Sequence, residues 1–324
     1  MDLTSGGTAR RLLAGVAVAA TAPYLTLKLL WLSGSTVGVV GAGFTDDSTL
    51  WVLNLLTFAM DAVAVALALA FVRPWGRRLP AALPVFPMWV ATGLLATLIA
   101  ALALTLGADA LLGPEPSHGQ QAWLRPWVYA LVYGGFAVQG VTLLAGFALY
   151  ARERWAALLR ERIGGLPRTS TLPLQRVLAC AAAVLAAPAV GLHLLWSVGG
   201  TLGLAAGTAA EAGRGLRLTQ GVSGLAAAVA CAAALALAFR WRPERRLAPL
   251  LATGWVTGGS MFAWGAWIFL ADAVSAGAGA ERTVPAATLL ADAAQVAGGL
   301  FLLVIGALTL VEHASARADI ESAG

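Results

Sequence analysis

The sequence predicts an all-α, polytopic transmembrane helix bundle of eight spans, arranged as two parallel four-helix repeats. Three observations carry this. Of 324 residues, 59% are hydrophobic and 11% charged, with mean hydropathy +0.80, whereas a soluble domain carries roughly 25% charged residues. The apolar residues come in uninterrupted runs, each near the roughly 20 residues a helix needs to cross about 30 Å of hydrocarbon. One phrase is also written twice, "KLLWLSGSTVG" at 28–38 and "HLLWSVGGTLG" at 193–203.

Taken in order, the runs place spans over 12–33, 50–72, 86–112, 127–150, 176–198, 217–240, 249–274 and 286–311. The connections between them alternate sharply in charge. Arg10 and Arg11, Arg73, Arg77 and Arg78, six arginines from Arg152 to Arg176, Arg240, Arg242, Arg245 and Arg246, and Arg317 fall on one side, sixteen in all. Arg125, Arg214, Arg217 and Arg282 are the four on the other. The positive-inside rule then sets both termini in the cytoplasm of a multi-pass cell-membrane protein. The net charge of +5 and pI near 9.9 come from these loops rather than from one basic face, which argues against a nucleic-acid partner.

The first span has the outline of a signal peptide, with Arg10 and Arg11 ahead of an apolar stretch containing Ala17, Ala19 and Ala20. Its match to a mid-chain span reads it instead as a retained helix. Aligning 22–38 with 187–203 gives identity at nine of 17 positions, among them Pro, Trp and a Gly-x-Thr-x-Gly spacing. Further pairs follow in the same order: "ALALAF" at 66–71 and 234–239, "RRL" at 77–79 and 245–247, "WVATG" at 89–93 with "WVTGG" at 255–259, and "ADA" at 108–110 and 271–273. Internal repetition of this length is an architectural signal. An even number of spans per unit makes the repeats parallel rather than inverted.

The expected organisation is a four-helix unit over 1–150, a basic cytoplasmic linker over 151–175 and a second four-helix unit over 176–324. The linker begins helix-like around Trp155, Leu158 and Leu159 and breaks at Gly164, Gly165 and Pro167. Two readings stand for its first part: it lies on the anionic inner leaflet with Trp155 at headgroup depth, or it extends the fourth span with a solvated charged face.

The phrase from His193 resembles the signature of a family of uncharacterised bacterial four-helix membrane proteins, whose first span ends in His-x-x-Trp-Ala-Leu-Gly-Gly followed by a further Gly. His193, Trp196, Gly199 and Gly200 match it. The first half departs from it, with Lys28 at the His position and Ser35 at the second Gly, while Trp31 and Gly34 are kept. The resemblance implies a tandem duplication of such a unit. It implies no activity, since the family has none established.

Ionisable groups inside spans are costly and usually face a cavity or a partner. Lys28, the one lysine among 21 basic residues, lies about 9 Å before Gly34 along the helix. It either snorkels to the outer interface or is buried as a group able to lose its proton. His193 holds the same depth, as a neutral imidazole bonded to a neighbour or as a titrating group. Trp31 and Trp196 follow one turn later on the same faces and read as interfacial belt residues, with the glycines behind them ending the helices.

Asp109 and Asp272 sit near the outer ends of the third and seventh spans. Asp61 is near the middle of the second, and Asp292 lies about 10 Å into the eighth. The candidate ligand or proton-linked residues are therefore Lys28, His193, Asp61, Asp292, Asp109, Asp272, Trp31 and Trp196. Most fall in the outer half, ringed by Trp51, Trp123, Trp127, Trp264 and Trp267, which suggests an outward-facing polar pocket between the repeats.

Cys180 and Cys231 fall inside apolar runs and read as small buried side chains. His118, His193 and His313 are far apart in sequence, so no metal site is expected. No enzyme motif and no cofactor fingerprint appears. The leading functional reading is small-solute or ion handling, with the lipid bilayer as partner and a small molecule, ion or lipid as ligand. A non-transporting sensory, binding or scaffold module is the alternative, and a membrane enzyme acting on a lipid or quinone the third.

Overall fold

The computed structural model describes residues 3–40, 44, 47–80, 82–115, 124–204, 208–209, 212–277 and 285–323. Its α-helices are α1 Leu3–Leu32, α2 Ser48–Ala70, α3 Pro74–Arg78, α4 Ala82–Leu112, α5 Pro126–Arg154, α6 Ala156–Arg160, α7 Leu172–Ser197, α8 Arg214–Ala238, α9 Leu247–Gly277 and α10 Ala286–Ala323. Among the described residues there is no strand, only two isolated bridges.

Seven of these helices, α1, α2, α4, α5, α7, α8 and α10, are long and apolar enough to cross a membrane. The chain is a helical multi-pass membrane bundle. The span expected over 249–274 is a continuous 31-residue helix, α9, but it is not one of the seven. Its glycines, hydroxyls and tryptophans, as in "TGWVTGGSMFAWGAW", dilute the aliphatic content that the other spans have.

Local signals start the elements where the sequence changes character. Asp47 caps α2, its Oδ1 accepting from the Thr49 and Leu50 amides at 2.7 and 3.2 Å. Pro74 and Pro126 open α3 and α5, where a missing N–H costs nothing. Pro23 and Pro188 lie inside α1 and α7, a placement that membrane helices tolerate.

The chain divides into two compact units, residues 1–151 with 270–283 and residues 152–269 with 284–324. In the first, α1 packs on α2 and α2 on α4. One end of its core is built from Leu27, Trp31, Phe44 and Val128. The other end carries Phe71, with ring centroids 6.0 Å from Phe147 and 5.4 Å from Tyr150.

In the second unit α7 lies against both α8 and α10. Ala179, Ala182, Ala186 and Ala189 recur at helical spacing on one face of α7, and all are fully buried, as are Ala227 and Ala230 of α8. Side chains this small let helix backbones approach closely, which is how apolar helices gain packing energy in lipid. Gly299 serves the α9–α10 contact in the same way, since a Cβ there would stand 2.9 Å from the Phe262 Cα.

Residues 152–171 belong to this second unit. Leu158, Ile163 and Leu166 are buried with Ala234, Leu237, Leu247 and Ile305, and Trp155 packs against the same cluster. The Ile163 amide donates to Arg245 O at 3.0 Å and the Leu247 amide to Glu161 O at 2.9 Å. Helix α5 itself runs on to Arg154 with Arg152, Glu153 and Arg154 exposed, so the linker begins as the expected extension of that span with a solvated charged face. The helix breaks at Trp155, and the apolar side chains beyond it pack into the core of this unit.

The repeated phrase ends its helix with the same cap at both occurrences. Gly34 and Gly199 have φ of 89° and 92°, and Gly38 and Gly203 have 77° and 78°. The Ser35 amide reaches Leu30 O at 2.8 Å and the Gly200 amide Leu195 O at 2.9 Å; Gly34 and Gly199 donate to Trp31 O and Trp196 O at 3.0 and 3.1 Å. These are two Schellman caps, each requiring a residue in the left-handed region that glycine enters without penalty.

Trp31 and Trp196 complete the caps. Each is buried, and each indole Nε1 donates to a carbonyl six residues on, Val37 O and Leu202 O, both at 2.8 Å. They are therefore not belt tryptophans: the loop folds back over the helix end and encloses them. Cys180 also departs from expectation, being exposed, whereas Cys231 is buried as expected.

Candidate functional site

In the first unit, Lys28 lies one turn before Trp31 on α1, and its side chain is 0% exposed. It does not snorkel. Its Nζ donates to Thr57 Oγ1, stands 3.9 Å from Asp61 Oδ2 and lies 4.4 Å from the centroid of the Tyr24 ring. Tyr24 and Lys28 are four residues apart on α1, and Thr57 and Asp61 four apart on α2, so each pair shares a helix face.

Helix α5 closes the cluster from a third side. The buried Gln139 side chain is close enough to act on the Asp61 carboxylate, and Phe136 meets the Tyr24 ring edge-on at 5.2 Å and 90°. An ammonium in this setting has a carboxylate, a hydroxyl and an aromatic face around it, which together replace much of the water it has lost.

In the second unit, His193 on α7 is buried and held at both ring nitrogens. Nδ1 lies 2.5 Å from Gln220 Oε1 of α8, and Nε2 lies 2.9 Å from Gln295 Nε2 of α10. A carbonyl oxygen only accepts and an amide nitrogen only donates, so this pairing selects the neutral imidazole with its proton on Nδ1. Gly224 lets α8 pass close to α7 at this point, because a Cβ there would stand 3.1 Å from His193 Cβ. The Trp196 indole meets the imidazole edge-on at 5.3 Å.

Asp292 is buried one turn before Gln295 on α10, where Gly265 of α9 lets the helices approach: a Cβ at that position would lie 3.1 Å from Asp292 O and 3.0 Å from Gln295 Cβ. Asp109 and Asp272 are half-buried near the ends of α4 and α9 and both belong to the first unit. Trp51 and Trp127 are exposed and Trp264 and Trp267 half-buried; His118, Trp123 and Arg282 lie outside the described residues.

Four polar partners escaped the sequence reading: Thr57, Gln139, Gln220 and Gln295. A signal existed in the two amides that interrupt otherwise apolar stretches, "AVQG" at 137–140 and "AAQV" at 293–296. Uncharged amides are weaker flags than ionisable groups, and only the packing of three helices shows that they converge on Asp61 and His193. Among the described residues no group of three or more His, Cys, Asp or Glu is placed to hold a metal ion. No family model, curated protein or solved structure matches this chain.

Proposed function

We propose that this membrane protein handles a small cation or protonated solute, with Lys28 and Asp61 as its charge-bearing pair. The observation that supports the reading is a fully buried lysine beside a buried aspartate in helices that are long and apolar enough to span a membrane. Intramembrane ionisable pairs are costly to insert and typically mark ion or proton pathways. Lysine, unlike arginine, is able to give up its proton when buried. In the resting state Lys28 neutralises Asp61; a cation arriving at Asp61 takes the place of the ammonium, and Lys28 releases a proton.

The same proposal places the protein in the cell membrane with both termini cytoplasmic, on the asymmetry of its arginines. It takes the chain as a tandem duplication of a four-helix unit, for which the two matching Schellman caps and their enclosed tryptophans are the support. The His193 cluster is then the diverged counterpart of the Lys28 cluster.

The test is flux into proteoliposomes loaded with a pH-sensitive dye. Cation-dependent proton movement is expected in the wild type and is lost in Lys28→Met and Asp61→Asn. Absence of any such movement across a panel of inorganic and organic cations overturns the reading.

A second reading, a binding or scaffold module without transport, is favoured by one observation. In the second unit, Ala179, Ala182, Ala186, Ala189, Ala227 and Ala230 are all fully buried, a solid apolar core on the far side of His193 from its capped helix end. Saturable ligand binding with no flux is the outcome that selects it.

A further inference from the structure

A second polar centre lies at the arginine-rich end of the second unit, and it does not depend on the reading above. Arg240 follows α8, and its guanidinium Nη2 donates to Pro167 O at 3.3 Å. The other two nitrogens, Nε and Nη1, are covered by protein and have no hydrogen-bond partner. Arg176 on α7 donates from Nε to Ala238 O at 3.4 Å and lies over the Phe239 ring at 5.4 Å.

Arg168 and Arg176 are exposed and close enough to Arg240 to act on its charge. Burial, chiefly, holds Arg240 below the usual arginine range; Glu312 opposes this, and the two neighbouring guanidinium groups add to it. Glu312 is the carboxylate of the group, and it is already engaged, accepting from the Thr171 hydroxyl and from Gln175 Nε2 at 3.2 and 3.0 Å. Three guanidinium groups therefore share one committed carboxylate.

The backbone is strained at the same place. Among the described residues, Arg240 and Arg242 are the non-glycine residues with left-handed backbone, at φ of 55° and 53°. L-residues adopt this region at a cost that functional sites tend to retain. The segment is also bordered by exposed apolar side chains: Leu174 and Val177 beside Arg176, and Phe239 and Trp241, the last 52% exposed. An excess of guanidinium groups at the edge of an apolar belt, with an exposed tryptophan, matches a phosphate that arrives attached to acyl chains better than one free in water.

We infer that the exposed Arg168 and Arg176 form a binding site for the phosphate of an anionic phospholipid headgroup, with the covered Arg240 behind them adding positive charge and Leu174, Val177, Phe239 and Trp241 against the acyl chains. Guanidinium groups suit this ligand because their planar forks donate pairwise to phosphate oxygens.

The experiment uses the full-length protein in a neutral detergent and follows thermal unfolding against three probes: short-chain phosphatidylglycerol, short-chain phosphatidylcholine and inorganic phosphate. Phosphatidylglycerol is expected to raise Tm saturably, and the other two to leave it unchanged. The double variant Arg168→Gln/Arg176→Gln, which alters only exposed side chains, is expected to weaken the phosphatidylglycerol effect at least about tenfold, roughly 1.4 kcal/mol. Native mass spectrometry of the same proteins should show one retained phosphatidylglycerol in the wild type and loss of it in the variant. Equal protection by phosphatidylcholine, protection by inorganic phosphate matching that by the lipid, or an unchanged response in the double variant each overturns the inference.

Discussion

Lys28 Nζ stands 3.9 Å from Asp61 Oδ2 while the lysine side chain is wholly withdrawn from the surface. The two residues come from adjacent helices, α1 and α2, so the pair fixes how those helices meet. Removing one partner leaves an uncompensated charge in an apolar setting, which costs about 3–5 kcal/mol, whereas removing both leaves none. Lys28→Met and Asp61→Asn should therefore each lower stability sharply, and the double variant should recover a large part of the loss. A double-mutant cycle on unfolding in detergent measures this; independent, additive effects contradict it.

The two enclosed tryptophans make a matched prediction. Trp31→Phe and Trp196→Phe keep most of the apolar ring but delete the indole donor to Val37 O and Leu202 O. Each should cost about 1 kcal/mol, the net worth of a neutral hydrogen bond, and the two costs should agree because the two caps have the same geometry. Alanine at either position empties a buried site and should cost about 3–5 kcal/mol.

Glycine substitutions separate backbone strain from packing. Gly34→Ala meets nothing within 4 Å but must hold φ of 89°, so it should lose about 1–2 kcal/mol through conformation alone. Gly299→Ala meets the Phe262 backbone and should lose about 1–3 kcal/mol by forcing α9 and α10 apart. Gly306→Ala on α10 also has open space around it, and should gain up to about 1 kcal/mol from helix propensity. Ranked unfolding midpoints of the three variants test the order.

At His193 the prediction concerns the two amides. Substitution by Phe preserves ring volume but leaves Gln220 Oε1 and Gln295 Nε2 without their imidazole partner. Each orphaned group costs about 1–3 kcal/mol. The triple variant His193→Phe/Gln220→Leu/Gln295→Leu removes the unpaired groups and should unfold later than His193→Phe alone, as followed by thermal unfolding.

Seven of the eight expected span positions, the charge difference between alternate loops and the recurrence of the Lys28 and His193 phrases were legible in the sequence, because hydropathy and arginine placement are properties of contiguous residues. So was the role of Gly34 and Gly199 in ending helices, since a positive-φ cap is a local requirement. The tertiary structure alone decided what Lys28 does. A long side chain near a helix end reaches water or a neighbouring helix with equal ease, and the choice rests on α2 placing Thr57 and Asp61 around its ammonium. The same holds for Trp31 and Trp196, which sequence position assigns to the membrane interface and the returning loop instead encloses. Lipid rewards an apolar helix wherever it lies along its own axis; the pairing of buried polar groups depends on which helix faces it stand opposite.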